Sequence, residues 1–398
     1  MRTDWLEIEL GQVCNIISGR NQKNVINPNG KYPIYGSAGI FGYSDDFLCE
    51  PGTTIIGRKG TINSPLYVNE KFWNVDTAFG LSPKELINNK FLYFFCRSFN
   101  FHKLDKSTTI PSLAKRDLEK IIIPISPLPE QRAIVSKIEQ LFSELDNGID
   151  NLKTAKEKLE IYRQAILKKA FENLSKSDYL GDIAEVKRGK SKHRPRNDKS
   201  LFGGKYPFIQ TGEIRSANGG TINSYKATYS EKGLDQSKLW PKGTLCLTIA
   251  ANIGETAFLG FDACFPDSVV GINPIEEKLN IKYLNFYIQK IKVEIDSQAS
   301  ATAQKNINVK FLENLQIPLP NNVKKQISIS QKIEYQFSVC DKVADSINES
   351  LEKSEALRQS ILKKAFSGEL LTEKELDACK QEADWEPAEK LLERIKKD

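Results

Sequence analysis

The sequence predicts an α+β protein in which two mixed α/β globular regions are each followed by a long helix, and the two helices pack on each other as a coiled coil. The first observation is an internal repeat: residues 163–171 read RQAILKKAF and residues 358–366 read RQSILKKAF. The offset of 358 − 163 = 195 residues gives 20 identities over the 41 positions from 131 to 171, so a long element is duplicated. The second observation is its periodicity, with apolar residues at steps of three and four from Ile134 through Tyr162 to Ile166.

The ends of the two repeats carry helix signals. Pro129 suits a first helical position and Glu130 suits the positive end of a helix dipole. Gly368 can close the second helix as a left-handed cap. About 38 residues at about 1.5 Å each span about 57 Å, which is longer than the core of a small domain. The second copy has polar residues such as Ser354 in its seam, so we expect neither helix to stand alone, although periodicity does not set their relative direction.

The stretches before the two helices have a similar order of short motifs. In the first stretch, β-prone runs at 53–56 and 66–68 are broken by Gly and Pro, residues 91–96 indicate a buried helix, and residues 121–124 a final strand. The second stretch repeats this order with different loops, and matching positions include Gly19 with Gly189 and Gly52 with Gly243. We predict globular regions at 1–126 and 176–318, long helices at 127–175 and 319–371, and a short amphipathic tail at 372–398.

Composition limits the function classes. At 398 residues, with 40% hydrophobic and 27% charged residues, the chain allows two or three domains. No apolar run approaches the roughly 18 residues of a membrane span, and the N-terminus lacks a signal-peptide stretch. Seven scattered cysteines fit reduced thiols, so we expect a cytoplasmic protein with no membrane partner. With only His102 and His193 we predict no metal site, while the net charge of +6 permits a polyanionic partner.

The helix ends are nearly identical between the two copies, whereas the globular regions differ. Two variable regions held by a repeated constant element are typical of a protein with a duplicated docking surface. Incomplete divergence after duplication is the alternative, although the seam has changed, as at Leu159 and Ser354, while 163–171 has not. On the docking hypothesis the partner-binding residues are Arg163, Gln164, Lys168 and Lys169 in the first copy and Arg358, Gln359, Lys363 and Lys364 in the second.

Several short motifs give nearly the whole chain a resemblance to a known family. They are PLPEQ at 127–131, ILKKAF at 166–171, ILKKAFSGEL at 361–370, GRKGT at 57–61 and AQKNI at 303–307. Because these motifs occur in this order and in a doubled layout, the sequence resembles the DNA specificity subunit of type I restriction–modification systems. The opening of the second helix, PLPNN at 318–322, departs from the PLPEQ form.

The resemblance implies two target-recognition domains, at 1–126 and 176–318, each reading one half of a bipartite site on double-stranded DNA. It implies that the two helices pack as an antiparallel coiled coil and act as a spacer. It also implies a non-catalytic subunit that recruits two methyltransferase subunits and, in complete systems, motor-nuclease subunits. S-adenosylmethionine, ATP and Mg²⁺ would bind to these partners, and no cofactor is expected in this chain.

Basic loops supply the candidate DNA contacts. Seven cations fall within 187–199, and such a loop can follow phosphates or place an arginine in a groove. In the first region the stretch 20–24 carries donors and acceptors suited to base edges. Solvation or turn chemistry is the competing explanation for these loops. The predicted DNA-binding residues are Arg20, Asn21, Gln22, Lys23, Arg58, Lys59, Thr108 and Thr109 in the first region, and Arg188, Lys190, Lys192, Arg194, Arg196, Gln304, Lys305 and Asn306 in the second.

Two patterns mimic enzyme sites. Residues 184–191 satisfy a relaxed phosphate-loop pattern, but their interior is bulky and charged where backbone N–H groups must wrap a phosphate. Asp267 followed by Glu276, Glu277 and Lys278 mimics a metal-dependent nuclease core. No Asn-Pro-Pro-aromatic or Asp-Pro-Pro-aromatic methyltransferase signature occurs. We therefore predict a protein without catalysis of its own; the alternatives are a nuclease in its own right and a coiled-coil scaffold that does not bind DNA.

Overall fold

The two long helices occupy Leu128–Ala170 and Val323–Ser367, which confirms the periodicity of both repeats. The structure is a computed structural model that describes residues 4–85, 87–250, 252–300 and 307–395. The chain divides into two units: unit 1 combines Met1–Leu152 with Asn348–Asp398, and unit 2 is Lys153–Ile347. Each unit therefore contains a mixed α/β globule and one half of each long helix.

The globule of unit 1 precedes the first long helix. Its elements are β1 (Leu6–Glu9), α1 (Leu10–Val13), β2 (Cys14–Ser18), β3 (Tyr32–Gly36), β4 (Gly39–Ser44), β5 (Thr53–Gly57), β6 (Leu66–Val68), β7 (Trp73–Asn74), β8 (Ala78–Pro83), α2 (Asn89–Ser98), α3 (Lys115–Glu119) and β9 (Ile122–Ile125), and α4 (Leu128–Ala170) is the first long helix. The strands form a four-stranded sheet in the order β2-β8-β5-β6, a three-stranded sheet β4-β3-β7, and the pair β1-β9. β5, β6, α2 and β9 confirm the elements that the sequence predicts in this region.

The globule of unit 2 lies between the long helices in sequence. Its elements are β10 (Lys176–Tyr179), α5 (Leu180–Ile183), β11 (Ala184–Arg188), β12 (Phe202–Phe208), α6 (Thr211–Ala217), β13 (Thr221–Ile222), β14 (Ala227–Tyr229), α7 (Glu231–Asp235), β15 (Leu245–Thr248), β16 (Thr256–Leu259), β17 (Val269–Pro274), α8 (Ile281–Lys290), α9 (Lys292–Ser300), α10 (Val309–Glu313) and β18 (Gln316–Leu319), and α11 (Val323–Ser367) is the second long helix. The main sheet has the order β11-β17-β15-β16-β13, with the pairs β12-β14 and β10-β18 beside it.

The two globules share one scaffold, as the repeated motifs predict. The order β11-β17-β15-β16 in unit 2 repeats β2-β8-β5-β6 in unit 1, and β10-β18 repeats β1-β9. The central strands β5 and β15 are buried along their whole length, which explains their continuous apolar runs. Gly52 and Gly243 lie just before these two strands. Their φ values of +86° and +88° belong to a backbone conformation that favours glycine.

In each unit an arginine from one long helix lies on a phenylalanine from the other. Arg358 is 5.1 Å from the Phe142 ring centroid and forms an ion pair with Asp146. On the globule side, Phe94 of α2 meets the Phe142 ring edge-on at 5.9 Å. Unit 2 repeats this arrangement with Arg163, Phe337, Asp341 and Phe286. Because the end of one helix meets the beginning of the other in both units, the helices form an antiparallel coiled coil, as the resemblance implies.

The structure corrects one detail of the predicted seam. Tyr162 is predicted among the seam residues, but its side chain is 54% exposed. Arg163, the next residue, takes the inward position because its guanidinium stacks on Phe337 at 4.9 Å from the ring centroid. Leu357 and Arg358 repeat this pattern in unit 1.

After the second long helix the chain folds back onto the first helix within unit 1. Gly368 has φ of +79°, and the next N–H, of Glu369, donates to the carbonyl of Lys364 at 2.8 Å, which confirms the predicted left-handed cap. Two short helices follow, α12 (Glu373–Lys380) and α13 (Ala388–Ile395). α13 confirms the predicted amphipathic tail, and Leu391 within it is fully buried.

α12 is not among the predicted elements, although a capping box marks its start. Thr372 and Glu375 exchange side-chain to backbone hydrogen bonds at its first turn. Glu375 also pairs with Lys137 of the first long helix at 3.0 Å. The hydrogen bond from the Thr372 N–H, followed by that from Lys137, lowers the pKa of Glu375 to about 2. Arg132 pairs with Asp384 at 2.7 Å, so that two cations of the first helix hold the tail.

The cysteines are structural. All seven are buried free thiols, which confirms that they are unpaired. Burial raises the pKa of Cys14 and Cys49 to about 12, so these thiols are poor nucleophiles. Within the described ranges, no helix combines the length and hydropathy that a membrane crossing needs.

Candidate nucleic-acid interface

The polar loop after β2 is anchored on the turn at 74–77. Gly19 donates its N–H to the Ala78 carbonyl at 3.2 Å. A Cβ at this position would lie 1.8 Å from the Val75 carbonyl oxygen, so only glycine allows the two backbone segments to come this close. The N–H of Arg20 donates to the Asn74 carbonyl at 2.9 Å. From this anchor the predicted contact residues emerge with exposed or partly exposed side chains: Arg20, Asn21, Gln22 and Lys23.

The same turn holds the loop after β5. The N–H groups of Arg58 and Lys59 both donate to the Thr77 carbonyl, at 2.8 and 3.3 Å. The Arg58 guanidinium lies 5.6 Å from the Phe79 ring centroid, while both side chains stay exposed. The structure therefore brings Arg20, Arg58 and Lys59 together around one turn of unit 1.

A third loop of unit 1, at 105–112, lies against the loop after β5. Gly60 donates its N–H to the Pro111 carbonyl at 2.9 Å. Hydrogen bonds from Ser107 close the loop on Asp105 and lower the pKa of that carboxyl. Thr108 and Thr109 are exposed on this loop, so all predicted contact residues of the first region belong to three loops that are linked by hydrogen bonds through the turn at 74–77 or directly.

The basic loop of unit 2 is exposed, but the protein itself holds its arginines. Arg196 donates to the two carboxylate oxygens of Asp267 at 2.9 and 2.7 Å, and Arg188 donates to the carbonyl of the same residue. Arg194 donates to two carbonyls of its own loop at 2.7 and 2.8 Å. These three predicted DNA-binding residues therefore shape the loop, and their donors are partly used.

Lys190 and Lys192 are exposed on this loop and form no ion pair in the part of the chain that the structure describes. Their ammonium groups are therefore available for phosphates, in contrast to the arginines. Asp198 caps the loop's following turn, and hydrogen bonds from the Ser200 N–H and hydroxyl hold the pKa of this carboxyl well below its usual range. The remaining predicted contacts of this region, Gln304, Lys305 and Asn306, lie outside the described residues.

The two enzyme-like patterns do not form sites. Residues 184–188 of the relaxed phosphate-loop pattern are strand β11, so they do not wrap around a phosphate. Asp267 is bound by Arg196, and Lys278 donates to the Asp182 carbonyl at 3.1 Å. Across the described residues, no group of three or more His, Cys, Asp or Glu side chains is placed to hold a metal ion.

The repeated helix ends serve partly internal contacts. Arg163 and Arg358 bind an aromatic ring and a carboxylate of the opposite helix, which accounts for their identity in the two copies. Gln164 lines a cleft of about 750 Å³ between the helices and the globule of unit 2, and Gln359 lines the matching cleft of about 620 Å³ in unit 1. Lys168, Lys169, Lys363 and Lys364 are exposed and form no ion pair within the described ranges.

Sequence reasoning missed the β3–β4 hairpin beside the loops of unit 1. Ile40 and Phe41 lie at its tip and are 48% and 52% exposed, and Tyr43 is 44% exposed. The available signal is a Gly-Ser-Ala-Gly turn at 36–39 between two β-prone runs. Sequence alone does not show that both faces of the second strand are exposed.

Comparison with known proteins agrees with this architecture. The model of the type I restriction modification DNA specificity domain matches residues 2–155 and 175–353. The chain is 23% identical to the EcoBI type I restriction enzyme specificity subunit of Escherichia coli, covering 98% of this chain and 92% of that protein. It is also 23% identical to the EcoDI specificity subunit of the same species, with coverages of 99% and 95%.

Solved structures share the fold. A chain from a structure that describes complex assembly and conformational transition of the type I R-M system superposes with a TM-score of 0.76 at 19% identity, covering 93% of this chain and 99% of that one. The HsdS subunit from Thermoanaerobacter tengcongensis gives a TM-score of 0.60 at 20% identity, with coverages of 93% and 98%. A protein with two such specificity domains joined by long helices is one that recognises DNA sequences. This chain belongs to the family of type I restriction–modification specificity subunits.

Proposed function

We propose that this protein reads a bipartite site on double-stranded DNA, one half with each globule, and positions methyltransferase subunits on that site. The observation that carries the proposal is the repeated joint between globule and helices. In both units the same residue types make the same contacts to the helix pair, while the loops of the two globules differ. Two globules with different loops, held by one repeated support, suit the recognition of two different half-sites.

Each globule offers a different set of groups to DNA. In unit 1, Arg20, Arg58 and Lys59 lie around one turn, where cations can neutralise phosphates. Beside them the Gln22 amide offers a donor and an acceptor, as base edges require, whereas the Asn21 oxygen accepts from the Lys23 N–H at 2.9 Å and leaves chiefly the Asn21 NH₂ group for a base. In unit 2 the exposed lysines of the loop at 187–199 supply phosphate contacts and thereby orient that globule.

The partner surface is proposed to lie on the exposed lysine pairs at the helix ends. Internal contacts account for the identity of Arg163 and Arg358, but the pairs at 168–169 and 363–364 have no partner among the described residues. One pair per repeat suits two methyltransferase subunits. Catalysis would then lie in the partners, with S-adenosylmethionine in the methyltransferase and ATP with Mg²⁺ in a motor-nuclease subunit.

The antiparallel helices are proposed to set the gap between the half-sites. Variants with longer helices test this proposal. Four residues would be inserted after Thr154 and four after Glu349, its match under the 195-residue offset, so that both helices lengthen together. Each insertion adds about 6 Å of helix, and coiled coils absorb such a stutter by local unwinding. On B-DNA about 6 Å is close to two base pairs of about 3.4 Å.

The assay is methylation by the assembled complex on duplexes that carry both half-sites at stepped spacing. We expect the double insertion to keep both half-sites and to lengthen the preferred gap by one or two base pairs. A single insertion, after Thr154 alone, is the control and should lower activity at every spacing because the helices lose their register. A fixed gap, or altered half-sites, would contradict the spacer function, and absence of sequence preference in the unaltered complex would contradict the whole proposal.

A further inference from the structure

We propose that the β3–β4 hairpin of unit 1 reads base pairs, with Ile40 and Phe41 at its tip in apolar contact with base edges of the DNA groove. This inference rests on the proposed function, since it names a further specificity-determining element of the same DNA surface. It concerns one half-site only, the one that unit 1 reads.

The hairpin exposes its apolar side chains on both faces. Successive residues of a strand point to opposite faces, yet Ile40 and Phe41 are 48% and 52% exposed. Ile34 on the paired strand β3 is fully buried, whereas β4 is the edge strand of the sheet β4-β3-β7. Adjacent large apolar side chains exposed on an edge strand are available to contact a binding partner.

The strand that pairs with Ile40 and Phe41 is held rigidly. β3 pairs on one side with β4 and on the other with β7, where Ile34 lies opposite Trp73. The ring of Tyr35 packs edge-on against Phe72 at 5.3 Å, and the Val75 N–H donates to the Tyr35 carbonyl at 3.1 Å. A strand on so fixed a support loses little conformational entropy when it binds, which favours its use in recognition.

The residues around Ile40 and Phe41 indicate that the partner of the hairpin is DNA. Residues 36–41 line a cleft of about 360 Å³ together with Gln22 and the turn residues 75–77. That turn also anchors the backbones of Arg20, Arg58 and Lys59, whose cations form no ion pair among the residues that the structure describes. The cleft thus presents apolar side chains, the Gln22 amide and the exposed Asp76 carboxylate, with the three cations anchored on the same turn. Base edges with their amino groups and thymine methyl groups match this lining, and the bordering phosphates match the cations.

The test uses the double variant Ile40→Ala/Phe41→Ala in the assembled complex. Binding is measured on two duplex libraries, each with one half-site randomised and the other kept intact. We expect discrimination to fall about tenfold at one or two base pairs of a single half-site, within the usual cost of a lost base contact. The other half-site should keep its preference, and the salt dependence of binding should not change because no phosphate contact is removed.

The matched control is Ile122→Ala, because Ile122 lies on β9 of the same unit and is 48% exposed, as is Ile40. It should leave both half-sites unchanged. Because the altered side chains are half exposed, the double variant and the Ile122→Ala control should both fold, which thermal melting checks. Phe41→Leu alone is a milder variant that should alter base preference in the same half-site. The inference would be overturned if Ile40→Ala/Phe41→Ala and Phe41→Leu both kept the base preference of the unaltered complex. It would also be overturned if the double variant lost base preference equally in both half-sites. Failure of the proposed function appears separately, as an unaltered complex without any sequence preference.

Discussion

Two buried glutamines hold the globules to the long helices, and their removal gives a prediction for each unit. Gln131 accepts a hydrogen bond from the Asn88 N–H at 2.9 Å and donates to the Ser126 carbonyl at 2.9 Å. In unit 2, Gln326 accepts from the Asn280 N–H at 2.7 Å and donates to the Lys278 carbonyl at 3.0 Å. Asn88 and Asn280 are the N-caps of α2 and α8, so each glutamine fixes the start of the helix that packs on the coiled coil.

Replacing either glutamine by alanine leaves two backbone groups without a partner. Each unsatisfied buried group costs about 1–3 kcal/mol, and water reaching the partly buried N–H recovers some of this. We therefore expect Gln131→Ala to destabilise the closed state of α2 by about 2–4 kcal/mol, which corresponds to roughly 30- to 1,000-fold faster amide exchange through local opening. Gln326→Ala should do the same for α8.

Hydrogen–deuterium exchange with peptide resolution measures this directly. Gln131→Ala should accelerate exchange in α2 and leave α8 unchanged, and Gln326→Ala should give the reverse. Gln164→Ala is the matched control, because Gln164 lies on the same long helix but is exposed. Less than threefold acceleration in α2, or equal acceleration in both helices, would refute the idea that the glutamines clamp the globules individually.

Three further predictions concern charge. Reversing the lysine pair at 168–169, or that at 363–364, should each lower methyltransferase capture from two copies towards one in pull-down stoichiometry; unchanged capture in both variants would exclude these pairs as docking sites. Lys192→Ala should reduce the salt slope of DNA binding by about 0.9, whereas Arg196→Ala should leave it nearly unchanged because Arg196 already binds a carboxylate; titrations at stepped salt check this order, and the reverse order would refute it. Because the pKa of Glu375 lies at about 2, below its ordinary value of 4.5, its ionic contacts stabilise the tail above about pH 4.5 and are lost as pH falls towards 2; the difference in melting temperature between the unaltered protein and Glu375→Gln should therefore close over this interval, and a constant difference would contradict it.

The repeat and its periodicity were sufficient to predict the long helices, because a helix of this length leaves the same signal in sequence whatever packs on it. The glycines at 52 and 243 were also informative, since a positive φ restricts the residue type wherever it occurs. The inward position of Arg163 could not be predicted, because a hydrophobic pattern ranks Tyr162 above a charged neighbour. Only the facing ring of Phe337 and the carboxylate of Asp341 make the arginine the better seam residue.

The candidate site was less accessible to sequence reasoning. Clusters of cations mark where DNA contacts can occur, and the predicted residues of unit 1 do lie in adjoining loops. Charge counting treats Lys192 and Arg196 alike, however, and only the position of Asp267 separates a side chain available for phosphates from one that shapes its own loop. The exposed tip of the β3–β4 hairpin was also missed, because exposure of an apolar strand depends on what the rest of the globule covers.

The identical residues of the two repeats now divide into two groups with different causes. Gln131, Phe142 and Arg358 in unit 1, like Gln326, Phe337 and Arg163 in unit 2, contact the globule or the opposite helix, so the joint itself requires them. Within the described ranges the lysine pairs at 168–169 and 363–364 form no ion pair, and ion pairing therefore does not explain why both copies retain them. On the globule side these glutamines and phenylalanines contact Asn88 and Phe94 in unit 1 and Asn280 and Phe286 in unit 2, and not the loops that we propose to face DNA. We therefore expect the loops of one globule to change without disturbing these contacts, as the proposed two-part reading of DNA requires.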